Sequence, residues 1–182
     1  GDILYRDGSG LQRLAAGTNG QVLQTGGAGA NPSWTTVAGG AFGQFVINTD
    51  STQYSNTSQS TYVRATNTKV QITPSSSSKE ILVAFNLHWR QTADDSALQH
   101  QIIRDIGGTE TTVATGGGSW GYHYTNDHNS INAYRSGMVW FKDNPSTTSQ
   151  CTYTVEFRNP HRTDTIYLNY NNDSQIMAFE IN

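Results

Sequence analysis

The chain has 182 residues, a mass of 19.9 kDa and a formal net charge of −3, a size that suits one domain with a short appendage. Leu, Ile, Val and Phe number only 34, but the low net charge and the nine Tyr, four Trp and six Phe argue against disorder. No window approaches 18 consecutive apolar residues and Lys occurs three times, which leaves no candidate membrane-spanning helix and no electrostatic footprint for nucleic acid.

Ser, Thr, Asn and Gln total 67 residues. A chain rich in Thr, Tyr and Asn and poor in Lys, Glu and Leu favours strands and turns over helices. Ten of the 18 glycines fall in residues 1–40, between short apolar pieces such as Ile3-Leu4, Leu11/Leu14 and Val22-Leu23. Those pieces are too scattered to close a core alone, so an ordered segment here must bury them against another chain or domain. With no initiator Met and no signal-peptide pattern, the chain reads as a fragment or a processed product.

From residue 42 onward the period changes to two. Strands are expected over 42–49, 60–65, 69–73, 80–91, 97–106, 109–114, 131–142, 150–158, 164–170 and 175–181. In the strand beginning at Glu80, Ile81, Val83, Phe85, Leu87 and Trp89 share one face, and Leu82, Ala84, Asn86 and His88 the other. Tyr153, Val155 and Phe157 alternate likewise, as do Ile176, Ala178 and Glu180 against Met177, Phe179 and Ile181. Turn clusters separate the runs, and the pattern predicts an all-β, jelly-roll-like two-sheet sandwich over 41–182. Met138-Val-Trp-Phe and Ile102-Ile103 carry apolar residues on both faces, which a lone sandwich would not need and an oligomer would.

Two stretches carry a resemblance. Gly1-Asp-Ile-Leu-Tyr, then Gly17-Thr-Asn-Gly-Gln-Val-Leu, then Asn31-Pro-Ser-Trp resemble a module of bacteriophage tail-fibre and other virion-appendage proteins. The remainder resembles the terminal knobs of such fibres, trimeric jelly rolls of the tumour-necrosis-factor-like and complement-globular-head-like group. The matching features are Pro74-Ser-Ser-Ser-Ser-Lys-Glu-Ile-Leu-Val, Ile102-Ile-Arg-Asp and the closing Ser174-Gln-Ile-Met-Ala-Phe-Glu-Ile. The resemblance implies a homotrimer in which residues 1–40 form a shaft or collar and residues 41–182 the knob. It implies a virion location, contact with other fibre or tail proteins, and attachment to a glycan or protein of the host surface. A capsid or head-fibre decoration without a receptor, and a non-viral trimeric adhesion or signalling domain, stand as the alternatives.

Site chemistry is sparse. No cofactor motif occurs, and GxSxG, P-loop and HExxH patterns are missing. The 14 acids are scattered, with Asp50, Asp94, Asp95, Asp127, Asp143, Asp164 and Asp173 in expected turns and Glu80, Glu156 and Glu180 in or beside strands as surface pairs. A glycosidase pair is therefore not expected, and the chain reads as a non-enzyme. Cys151, the single cysteine, reads as a buried structural thiol. His123, Asp127 and His128 cluster in a loop whose spacing constrains no metal geometry; His88 and His100 read as interface or sheet-face residues, and His161 as solvated.

The binding candidate is the segment from Ser119 to Asn129. Trp120, Tyr122 and Tyr124 offer aromatic faces for sugar C–H groups, and Asn126, Asp127 and Asn129 offer planar polar groups for hydroxyls. The same aromatics also fit a strand face packed at a subunit interface. Gln91–Ser96 and Tyr170–Ser174 are lesser candidates, read mainly as solvated turns.

Overall fold

The computed structural model describes residues 1–36, 42–93, 96–116, 122–124 and 133–181, and it divides into a unit Gly1–Gly40 and a unit Ala41–Asn182. In the first unit, β1 (Ile3–Asp7) and β2 (Gly10–Leu14) form one antiparallel hairpin, and β3 (Gln21–Gln24) and β4 (Ser33–Thr36) another. The Asp7 carboxylate accepts from the amides of Ser9 (2.8 Å) and Gly10 (3.1 Å), an Asx turn that closes the first hairpin.

The quoted anchors of this unit have physical reasons. Trp34 Nε1 donates to the Ala15 carbonyl at 2.7 Å, and the indole lies so close to Gly17 that a Cβ there would sit 2.7 Å from its Cδ2. Gln21 Oε1 accepts from the Thr18 amide at 2.8 Å. One face of the first hairpin half-buries Ile3, Tyr5 and Leu14, while Leu4 and Leu11 on the other are 72% and 77% exposed.

The second unit is built from β5 (Phe42–Asp50), β6 (Tyr54–Asn56), β7 (Val63–Ile72), β8 (Glu80–Gln91), β9 (Ala97–Ile106), β10 (Thr109–Thr115), β11 (Tyr122–Tyr124), β12 (Ala133–Asp143), β13 (Cys151–Arg158), β14 (Ile166–Leu168) and β15 (Ser174–Ile181). Eight of these pair from the outside in: β5 with β15, β7 with β13, β8 with β12, β9 with β10. Two further pairings, β15 with β8 and β13 with β9, then gather them into sheets ordered β5-β15-β8-β12 and β7-β13-β9-β10. That wiring is an eight-stranded jelly roll. The short β14 takes over the β15 edge of β8 at Trp89–Gln91 and carries β6. β11 lies against the first residues of β9.

The core is where the two inner faces meet. Ile81, Val83, Phe85, Leu87 and Trp89 of β8 and Ile176 and Ala178 of β15 pack with Val70, Ile72, Leu98, Ile102, Tyr153, Val155 and Phe157 of the other sheet. Each fully buried aliphatic or Phe side chain contributes roughly 1.5–3 kcal/mol. Cys151 is buried with them, and burial pushes its thiol pKa up, so it is a packing residue. At the tip of β9–β10, Gly107 and Gly108 (φ 60° and 89°) supply the two left-handed residues of a tight hairpin.

Several expectations need correction. The strands expected over 60–65 and 69–73 are one strand, β7, whose register slips between the Glu156↔Arg64 and Thr154↔Lys69 pairs. The segment 164–170 shortens to β14 because Asn169 turns left-handed (φ 58°) into a buried network. There Asp50, placed in a turn by the sequence, is the buried end of β5. It accepts from Thr68 Oγ1 (2.5 Å), Asn169 Nδ2 (3.1 Å) and the Thr52 amide (2.9 Å). Glu180 is no surface carboxylate: it is 2% exposed and accepts from the Ser75 amide (2.6 Å) and hydroxyl (2.5 Å). His100, expected at an interface or on a sheet face, is fully buried within β9. Residues 122–124, read as loop, form the strand β11.

Candidate functional site

The outer face of the β5-β15-β8-β12 sheet is apolar over most of its width. Register sets Ile47, Met177, Ala84 and Trp140 in one cross-strand row, Phe45, Phe179, Leu82 and Lys142 in the next, and Asn86 between Gln175 and Met138 in a third. Phe45 and Phe179 stack at 4.6 Å with planes 26° apart. Phe45, Ile47, Met138 and Trp140 are 50–65% exposed. A contiguous exposed apolar sheet face of this kind is characteristic of interaction surfaces. Its large side chains gather along the two edges, Phe45, Ile47 and Phe179 on one and Met138 and Trp140 on the other, with the smaller Leu82 and Ala84 between. β12 is also an 11-residue edge strand that pairs only with β8 among the described residues, and a long apolar edge invites a partner.

Beyond the third row the face turns aromatic and cationic. The Arg90 guanidinium lies 4.3 Å over the Tyr170 ring, 5.6 Å over Tyr167 and 5.8 Å over Tyr134. These are cation–π distances. Tyr170 therefore belongs to a packed cluster, not to a solvated turn. His88, opposite Ser136 in the register, is half-buried on this same face.

The expected binding segment is described only in part. Tyr122, His123 and Tyr124 lie in β11, with their backbones opposite Gln99, Leu98 and Ala97. Trp120, Asn126, Asp127, His128 and Asn129 lie outside the described residues. The described residues on either side of it are Gly116, which donates to the His100 carbonyl at 2.8 Å, and Ala133, which pairs with Gln91. Both are at the end of the sandwich reached by the last residues of β5 and β8, opposite Phe42. Among the described residues no three His, Cys, Asp or Glu side chains gather to hold a metal ion.

The outer face of the other sheet is polar and closely bonded. Arg64 donates to Glu156 (2.7 and 2.9 Å) and forms a two-pronged pair with Glu110. Since Arg64 is on β7 and Glu110 on β10, the two edge strands, that pair crosses the middle strands of the sheet. The Arg64 hydrogen bond holds the Glu110 carboxyl below its ordinary pKa. Gln101 donates to Glu156 (2.7 Å), and Arg158 to Gln99 (2.7 Å). Beside the Arg64–Glu110 pair lies a groove of about 220 Å³ lined by Thr66, Lys69, Ile103, Asp105, Thr152 and Thr154. A second groove, about 410 Å³, adjoins it through Lys69 and reaches Asn48, Gln71 and Gln150. No local motif marked the first groove, because its lining comes from three separate strands: Thr66 and Lys69 from β7, Ile103 and Asp105 from β9, and Thr152 and Thr154 from β13.

No protein-family model matches the chain, and no curated protein matches it. Among solved structures, the infectious bursal disease virus VP2 subviral particle is 15% identical, with a TM-score of 0.47, over 88% of this chain and 38% of that one. The T=1 particle derived from infectious bursal virus is 15% identical, with a TM-score of 0.39, over 94% and 42%. Dimeric latent PorU from Porphyromonas gingivalis is 11% identical, with a TM-score of 0.36, over 80% and 14%. The chain thus spans about two fifths of the length of the virus chains it matches, and less of PorU.

Proposed function

We propose that the chain is a non-enzymatic virion protein, the homotrimeric distal knob and adjoining collar of a phage tail fibre, which attaches the particle to a host-surface glycan. The observation that carries this reading is the apolar outer face of the β5-β15-β8-β12 sheet. Its two unlike edge clusters suit a heterologous contact, in which the Trp140 edge of one copy packs on the Phe45–Phe179 edge of the next. Heterologous contacts that close make rings, and three copies are the ring that the resemblance implies. Leu4 and Leu11 of the first unit, exposed on a two-stranded ribbon, need partner surfaces as well. The jelly-roll wiring is that of the knobs this sequence resembles.

Attachment then works by polyvalence: three weak sites per knob and several knobs per particle raise avidity without a tight single site. The residues proposed to contact the glycan are Trp120, Tyr122, Tyr124, Asn126, Asp127 and Asn129, whose aromatic faces and planar polar groups suit sugar C–H groups and hydroxyls. The test is binding of the fluorescently labelled chain to a panel of bacterial cells. The reading expects at least one strain to bind it, and Trp120→Ala and Tyr124→Ala to lose that binding with an unchanged solution mass. A trimer that binds no strain favours a capsid or head decoration.

A further inference from the structure

The polar face opposite the assembly face holds a feature that folding does not require. Lys69 is half-buried in β7 and lines both grooves, yet its ammonium has no hydrogen-bond or ion-pair partner among the described residues. Across the register, Lys69 faces Thr154, and Thr154 faces Ile103; in the next row Gln71, Thr152 and Asp105 lie side by side. Thr154 is 8% exposed, and its hydroxyl also takes no partner among the described residues. Neither atom is one of the fully buried polar atoms that lack a partner, so both open into the groove with donor and acceptor capacity free for a bound polar group.

Charge selects the ligand. The lining carries two cations, Arg64 and Lys69, and two carboxylates, Asp105 and Glu110, so the groove has no net charge of either sign to offer a charged ligand. An anion would face Asp105 and Glu110, and a cation would face Lys69 and Arg64. An uncharged ligand carrying both donors and acceptors meets neither penalty. Lysine donates only, carboxylate accepts only, and threonine does both; together they can hold neighbouring hydroxyls of a ring. Ile103 adds an apolar floor for C–H groups. The volume, about 220 Å³, is that of roughly seven waters at ~30 Å³ each, enough for one sugar ring, and the adjoining groove continues past Lys69 to amide side chains.

We infer that the Lys69–Asp105–Thr152–Thr154 groove is a binding site for an uncharged saccharide, held through adjacent ring hydroxyls. The inference deepens the attachment reading and rests on it for the ligand class. The groove lies on the face that the proposed trimer leaves open. The test is titration of the full chain with neutral oligosaccharides of glucose, mannose, galactose and rhamnose, followed by amide NMR. At least one should shift the amides of Lys69, Thr152 and Thr154, and Lys69→Met and Thr154→Val should each weaken it about tenfold with the rest of the spectrum unchanged. Silence at these amides with all four sugars at about 50 mM, or a response to galacturonate oligosaccharides alone, overturns the site. Cell binding by the same variants is scored apart. Sugar in the groove with no cell binding sinks the attachment reading and spares the site; cell binding with a silent groove does the reverse.

Discussion

One sandwich presents two opposite outer faces. On the β7-β13-β9-β10 sheet, Arg64, Glu110, Glu156, Gln101, Arg158 and Gln99 satisfy one another across strands, as a surface meant for water does. On the β5-β15-β8-β12 sheet the corresponding positions are Phe45, Ile47, Phe179, Met177, Met138 and Trp140. Both faces come from strands with the same buried inner side, so the fold itself demands neither outer composition. The difference identifies which face the proposed trimer would cover: antiparallel sheets tolerate one solvated side, and only one of these two is dressed for it.

The comparison can be broken at Trp140. Trp140→Glu places a charge at the centre of the proposed contact, and it should drop the solution mass about threefold while leaving the β-type circular dichroism intact. Phe157→Ala works on the interior shared by both sheets; it should lower stability by about 3–5 kcal/mol in chemical denaturation with no selective effect on assembly. Acid acts at Glu180. Burial there tends to raise the carboxyl pKa, but the Ser75 hydroxyl and amide donate to it and the net shift is downward from 4.5. A depressed carboxylate contributes stability that is present above its unfolded pKa and lost as pH falls through the folded one. Denaturation midpoints should therefore fall below about pH 4.5 and fall less in Glu180→Gln, whose side chain does not titrate. The smallest effect belongs to the polar face: Glu110→Gln removes an exposed ion pair and should leave the midpoint unchanged within error.

Much of the fold was legible because alternation survives wherever one strand face is buried. Glu80–Gln91, Cys151–Arg158 and Ser174–Ile181 display their inner and outer residues in the sequence as they do in the structure. β7 was misread as two strands because its register slip brings Ala65 and Thr68, which differ by three, both to zero exposure and so breaks the period of two. Asp50 reads as a turn acid and Glu180 as a surface acid because their partners, Thr68 with Asn169 and Ser75, are distant in sequence. The apolar outer face was visible only as fragments, Met138-Val-Trp-Phe and the Met177/Phe179 face; the register joined them to Phe45 and Ile47. The groove around Lys69 was invisible for the same reason, since threonines and a lysine in separate strands carry no local motif.

The account turns on whether the apolar sheet face is covered by other copies of the chain. Light scattering after gel filtration measures that directly. A mass near three times 19.9 kDa, about 60 kDa, is the predicted result. A stable species near 20 kDa would leave Phe45, Phe179 and Trp140 facing water and contradict the trimer.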